Sequence, residues 1–231
     1  DSGKIYKYAV RATNSDAKSS YQNSSNIGVL ETPVSKISSS AKGVKITFEP
    51  VSGAEKYIIY RSDYDSSSKN WSGSKKIATL KSTENSYVDT SAISGKKCRY
   101  KVKAYNGSCK SKTKVSNSIL YIAAPTVAIS NGNSAIDVKW TESKGAKSYT
   151  VYRSEYDSKN KKWSKWASVS SELKTLKFSD KNVKHAKKYK YAVLAKIGDT
   201  TSSYNPSSSM YRLNKTSIST AIAVSGVTIK W

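Results

Sequence analysis

Catalysis requires groups that attack, carry a proton or hold a metal, and this chain has few of them. There is one histidine, His185, in a lysine-rich run ahead of a strand-like segment, and two cysteines, Cys98 and Cys109. Two cysteines and one histidine fall short of a four-ligand zinc site. No Ser-His-Asp or Cys-His set can be assembled that a second part of the chain repeats. Asp63 and Asp65, mirrored by Glu155 and Asp157, stand two apart and so share a strand face. Calcium would need several more oxygen ligands, and nearby lysines are the expected partners of these carboxylates. A glycine-rich phosphate loop is also missing. The sequence reads as non-catalytic, with no metal and no cofactor.

Binding chemistry is better represented. "YIIYRSDYDSSSKNW", Tyr57 to Trp71, returns as "YTVYRSEYDSKNKKW", Tyr149 to Trp163, with Arg61 and Arg153, and Trp71 and Trp163, each 92 residues apart. The candidate binding residues are Arg61, Tyr64 and Trp71 in the first copy and Arg153, Tyr156, Trp163 and Trp166 in the second. Tyr, Trp and Arg are the side chains that anchor protein interfaces, and aromatic rings stack on sugars. The alternative is structural: Trp71 and Trp163 fold over the sheet edge with Arg61 and Arg153 packed on them as cation–π pairs. Trp166 stands apart, because Ser74 occupies its position in the first copy.

The phrase belongs to a longer period. "GKIYKYAVRA" from Gly3 returns as "GKKCRYKVKA" from Gly95 and "AKKYKYAVLA" from Ala186, and "VKITFEP" from Val44 returns as "IDVKWTE" from Ile136 and "VTIKW" from Val227. A repeat of about 92 residues is one small domain rather than a solenoid unit. The expected division is 1–30, the tail of one repeat; 31–122 and 123–213, two complete repeats; and 214–231, the head of another. On this reading the chain is a piece of something longer.

Within each repeat, polar and apolar residues alternate. Tyr6, Tyr8, Val10 and Ala12 fall on one face of a strand, as do Cys98, Tyr100, Val102 and Ala104, and Tyr189, Tyr191, Val193 and Ala195. Asn106-Gly107 signals a two-residue hairpin turn, and Gly53-Ala54 and Gly145-Ala146 mark another turn. Sustained helical periodicity is lacking, so each repeat reads as about seven short strands in an antiparallel sandwich. On that reading Cys98 and Cys109 are about six residues out of register, roughly 20 Å apart, which excludes a disulfide.

Composition bounds the partners. In 231 residues, 40 basic side chains oppose 16 acidic ones for a net charge of +24. Such a chain is drawn to polyanions in a salt-sensitive way. Only five of the basic residues are Arg, which argues against specific nucleic-acid reading. Hydrophobic residues are 37% and mean hydropathy is −0.60, suited to thin cores in separate small domains. No apolar run approaches the ~20 residues of a membrane span, so no membrane insertion is expected.

The order of an aromatic on one strand (Phe48, Trp140, Trp231), a Gly-Ala turn, Tyr-x-Ile-Tyr-Arg, Tyr-x-Asp and then Gly-x-x-Tyr-x-Tyr-x-Val-x-Ala resembles the fibronectin type III domain. It is most similar to the Lys/Ser/Tyr-rich kind found in tandem on Gram-positive bacterial surface proteins. The resemblance spans the whole chain and implies tandem immunoglobulin-like sandwiches. It makes Tyr6 and Tyr189 tyrosine-corner residues, and the repeat with Cys98 there is expected to be the less stable. "SSYQNSS" and "SSYNPSS" would be F–G hairpin and G strand, and the phrase from Arg61 to Trp71 a C–C′ loop. Residues 1–30 would be strands F and G without their domain, and 214–231 strands A and B without theirs, open to pairing between chains. The resemblance also implies an extracellular, secreted or bacterial cell-surface location. The expected function is that of an adhesin or presenting module for a host protein or glycoprotein, with immunoglobulin and mucin as candidates. The alternatives are a carbohydrate-binding or spacer region of a larger glycan-active enzyme, with acidic polysaccharide as its partner, and general salt-sensitive polyanion binding.

Overall fold

The computed structural model describes residues 3–214, 219–223 and 226–230. All regular elements among them are strands. The chain divides into two compact units, Asp1–Tyr121 and Ile122–Trp231.

The first unit opens with four short strands, β1 (Ile5–Tyr6), β2 (Ala9–Val10), β3 (Gln22–Asn23) and β4 (Ile27–Gly28), which form one hairpin through the pairs β1·β4 and β2·β3. A sandwich follows. One sheet has β5 (Ser35–Ser40), β6 (Gly43–Phe48) and β10 (Ser86–Asp89) in the order β10-β6-β5. The other is built on β7 (Lys56–Asp65) paired along its length with β11 (Lys97–Asn106). β8 (Asn70–Trp71) and β9 (Lys75–Lys81) add to the free edge of β7, and β12 (Cys109–Lys110) and β13 (Ile119–Leu120) add to that of β11.

The second unit repeats this plan. β14 (Val127–Asn131), β15 (Ile136–Trp140) and β19 (Lys177–Asp180) make the three-stranded sheet. β16 (Ser148–Asp157) pairs with β20 (Lys188–Ile197), flanked by β17 (Lys162–Trp163) and β18 (Ala167–Ser168) on one side and β21 (Thr200–Thr201) and β22 (Met210–Tyr211) on the other. A last hairpin joins β23 (Ser219–Ala223) to β24 (Gly226–Lys230). Seven strands become nine pieces in each sandwich because two edge strands are interrupted. The order of strands in the two sheets is that of an immunoglobulin-like sandwich of fibronectin type III kind.

Period-two alternation builds the core. On β11, Cys98, Tyr100, Val102 and Ala104 are buried, and Val44, Ile46 and Phe48 of β6 are buried with them. In the second unit Ile136, Val138, Trp140, Tyr149, Val151, Tyr189, Tyr191, Val193 and Ala195 form one cluster drawn from both sheets. A contact the sequence did not announce recurs on the central strands: the Tyr57 hydroxyl accepts the Val51 N–H at 2.7 Å, and that of Tyr149 the Ser143 N–H at 3.1 Å.

Several expectations are corrected locally. The hairpin turn centres on Gly107 and Ser108, with Asn106 paired to Cys109 as the last ladder residues. Asn106 is held there because its side-chain amide donates to Gly53 O at 2.7 Å. The segment from Arg61 to Trp71 is no loop. β7 runs on to Asp65 and β8 folds back on it, pairing Tyr64 with Trp71, with Lys69 in the left-handed region at φ 53°. The Asp63 carboxylate has Arg61 as its partner rather than a lysine, and Asp65 accepts from the hydroxyls of Ser67 and Ser68. The corner hydrogen bond is present at Tyr189, whose hydroxyl accepts the Lys184 N–H at 3.0 Å, whereas Cys98 places its thiol 3.5 Å from the Tyr100 hydroxyl. Cys98 and Cys109 are both buried free thiols. Trp231 lies outside the described residues.

Candidate binding face

Strand parity separates the repeated phrase into two jobs. Arg61 shares a face of β7 with the buried Tyr57 and Ile59. Its guanidinium donates to Asp89 at 2.8 Å and to the Ser91 hydroxyl at 2.9 Å, and the Tyr100 hydroxyl donates to the same carboxylate at 2.9 Å. Arg153, Asp180 and Tyr191 repeat the triad at 2.7 and 2.9 Å. Burial raises the Asp89 carboxyl, but hydrogen bonds from Ser91, Arg61 and Tyr100 outweigh it and hold the group below the usual range. Burial likewise raises the Tyr100 and Tyr191 phenols, which therefore act as donors. Arg61 is thus a buried ion-pair member and Arg153 a half-buried one. They do not pack on Trp71 and Trp163, and the cation–π alternative named the wrong cations.

The opposite face of the same sheet carries the aromatic groups. Tyr64 meets Trp71 edge-on with centroids 5.2 Å apart, and Tyr156 meets Trp163 at 5.2 Å. The cation over Trp71 is Arg99, at 4.3 Å, and that over Trp163 is Lys190, at 4.4 Å. Both come from the neighbouring strand, opposite Ser62 and Ser154 in the register. Each repeat therefore fixes one cation on a tryptophan at an equivalent place, since Arg99 and Lys190 are 91 residues apart.

The second unit extends this pattern. Trp166 lies parallel to Tyr204, 5.4 Å away with an 8° interplanar angle, and also approaches Lys190 at 5.3 Å. Tyr204 in turn meets Tyr152 edge-on at 5.3 Å. Lys188 sits over both Tyr156 and Tyr211, at 5.8 and 5.5 Å. Lys188 and Lys190 are two apart on one strand face, so about 7 Å separates their Cα atoms. The first unit has a shorter version, with Lys101 over Tyr60 at 5.5 Å and Lys56 over Tyr105 at 5.9 Å.

Of the residues picked from sequence, the structure gathers Tyr64 and Trp71 on one outer face and Tyr156, Trp163 and Trp166 on the other. It turns Arg61 and Arg153 to the opposite, inner face of their sheets, where Arg61 is buried and Arg153 half-buried. Sequence reasoning missed Arg99, Lys188, Lys190 and Tyr204. The signal was there: Lys7, Arg99 and Lys190 hold one repeat position, always basic and always on the polar side of the alternation. On the inner side of β16 an open concavity of about 460 Å³ is lined by Arg153, Glu155, Asp157, Ser164, Ala167 and Lys187, charges of both signs. Among the described residues no three His, Cys, Asp or Glu side chains gather as a metal site would need.

No protein-family model matches the chain, and no curated protein matches it. Solved structures do. One is of the FN1-FN3 domains of chicken CNTN1, 19% identical, covering 92% of this chain and 77% of that one, with a TM-score of 0.32. Another is a segment of two fibronectin type III domains from chicken tenascin, 13% identical, covering 78% and 99%, TM-score 0.38. A third is the chicken interferon gamma receptor alpha chain, 13% identical, covering 79% and 98%, TM-score 0.40. The similarity is to tandem sandwich modules. At these identities and scores it says nothing about ligands, and the fold assignment rests on the strand order above.

Proposed function

We propose that the chain is a non-catalytic binding segment of an extracellular bacterial surface protein, an adhesin for acidic glycoproteins such as sialylated mucin. One observation carries this reading: each repeat holds a cation against a tryptophan on the outer sheet face, Arg99 on Trp71 and Lys190 on Trp163. A long basic side chain ordinarily loses rotamer freedom when it binds. Here the aromatic contact has already restricted it, so an arriving carboxylate or sulfate meets a pre-organised charge. Duplication adds to this, because a polymer that repeats its anionic groups can engage two such faces at once, with avidity above either site alone. The tryptophan faces are partly occupied by the cations, which favours anionic recognition over stacking of a neutral sugar.

The test separates position from bulk charge. Arg99→Ser with Lys190→Ser removes the two held cations. Lys45→Ser with Lys139→Ser removes the same charge from exposed positions on the other sheet. Binding to immobilised sialylated mucin is expected to weaken about tenfold in the first pair and about twofold or less in the second. Equal losses would reduce the interaction to net charge. An unmodified chain that ignores mucin with and without sialic acid would leave a spacer.

A further inference from the structure

The same arginine is engaged on two edges in one repeat and on one edge in the other. Arg61 donates from Nη1 to Asp89 and Ser91, and from Nε to Asp63 at 3.1 Å. Arg153 donates from Nη1 to Asp180 and to the Asn182 carbonyl, at 2.7 and 2.6 Å, and its Nε and Nη2 have no hydrogen-bonding partner among the described residues. One methylene separates the two cases. Glu155 stands at the repeat position of Asp63, and its longer side chain pairs with Lys187 at 3.5 Å instead of with the arginine. The Arg153 side chain is accordingly the more open of the two, 21% exposed against 10% for Arg61.

A second difference between the repeats opens the same place. In the strand ladder Arg61 faces Lys75, whereas Arg153 faces Ala167. Residues directly opposed across an antiparallel pair point to one side of the sheet, so a long side chain beside the first arginine is a methyl group beside the second. Arg153, Glu155 and Ala167 all line the concavity of about 460 Å³ on the inner side of β16. Its charges nearly cancel: Arg153 is held by Asp180, Lys187 pairs with Glu155, and Asp157 accepts the amides of Lys159 and Asn160 in its own turn. On a chain of net charge +24 this is a locally balanced place. A simple anion gains no more here than over the exposed lysines elsewhere. A molecule carrying both charges gains more, because its carboxylate can meet the guanidinium edge while its ammonium meets Glu155.

We infer that the second unit binds a small zwitterion in this concavity, its carboxylate on the Nε and Nη2 edge of Arg153 and its ammonium on Glu155. Arg153 and Glu155 lie two apart on one strand face, about 7 Å between Cα atoms. That spacing suits a ligand of dipeptide size, with its charges several bonds apart, better than an α-amino acid, whose two charged groups share one carbon. The ammonium takes the place of Lys187 at Glu155, and the pair it displaces is exposed, so its loss costs little. The site lies on the opposite side of the sheet from Trp163 and Lys190. Binding of a zwitterion and binding of an acidic glycoprotein can therefore fail separately.

Titration of the whole chain with glycylglycine, followed by nitrogen–proton correlation spectra at slightly acid pH, tests the inference. The Arg153 Nε–H signal and the amides of Glu155, Ser164 and Ala167 are expected to shift together and saturate with a Kd of about 1–10 mM, while the Arg61 Nε–H signal stays in place. N-acetylglycine, which lacks the ammonium, and glycylglycinamide, which lacks the carboxylate, should each bind at least about tenfold more weakly. Glu155→Asp keeps the charge and copies the first repeat, so the second unit should fold with its thermal transition no lower. The shorter carboxylate should then take the Arg153 Nε as Asp63 takes that of Arg61, and weaken glycylglycine at least about tenfold. Equal binding of glycylglycine and N-acetylglycine would reduce the place to an anion patch and overturn the inference. An unmodified chain with no saturable shift at Arg153, or undiminished binding in Glu155→Asp, would overturn it as well.

Discussion

Asp89 is fully buried, and its carboxylate is bearable only because Arg61, Ser91 and Tyr100 all direct donors at it. Asp89→Asn leaves the Arg61 guanidinium, 9% exposed, without its main counter-charge. A cost of about 3–5 kcal/mol is expected for the first unit, read from its denaturant midpoint. The acid response follows from the same carboxyl, held below its ordinary value in the fold. The stability it contributes is complete above about pH 4 and is lost as pH falls through the lower folded value. Asp65, lowered to about 2 by the Ser67 hydroxyl and amide, acts in the same direction. The first unit should therefore weaken below about pH 4, and an Asp89→Asn chain should show a flatter profile there. The residue scale is also where the sequence was hardest to read. Arg61 and Tyr64 lie three apart, hence on opposite faces of one strand, yet the phrase that contains them reads as a single cluster. Counting by twos from the buried Tyr57 would have sent Arg61 inward and Tyr64 outward.

The strands themselves were legible, because Tyr, Val and Ala alternate with Lys and Arg so regularly that faces could be assigned before any pairing was known. What remained hidden was where strands stop. The long central strand continues through "SDYD" because a turn ending in Lys69 lets the chain fold back on itself, and a lysine at φ 53° is not a turn signal. Repeats expose a related strain. Gly3 and Gly95 adopt φ 83° and 81°, while Ala186, at the same repeat position, is forced to φ 59°. Restoring glycine there removes a Cβ clash with the backbone, partly offset by a freer unfolded chain. Ala186→Gly is expected to raise the stability of the second unit by about 1 kcal/mol, measured as an upward shift of its own thermal transition. The first unit should not move.

At the scale of the molecule, a 92-residue period laid the plan open, and the partner stayed out of reach because duplicated surfaces record ancestry as well as use. Lys7, Arg99 and Lys190 were visible as basic, but only the pairing of neighbouring strands shows Arg99 and Lys190 lying on Trp71 and Trp163. Distributed charge of +24 and localised cations also predict different things: the first gives attraction that any lysine supplies, the second attraction that depends on position. The contact of Gly28 with Cys109 has a consequence of another kind. Cys98 is buried in the sandwich, and Cys109 is covered where the terminal hairpin lies against it. The two thiols are then clocks for two different events, unfolding of the unit and lifting of the hairpin. With an excess of a chromogenic disulfide reagent, Cys109 should react faster than Cys98. Gly28→Ala should quicken the first reaction and leave the second alone, so that the chain reports the opening of its own edge in colour.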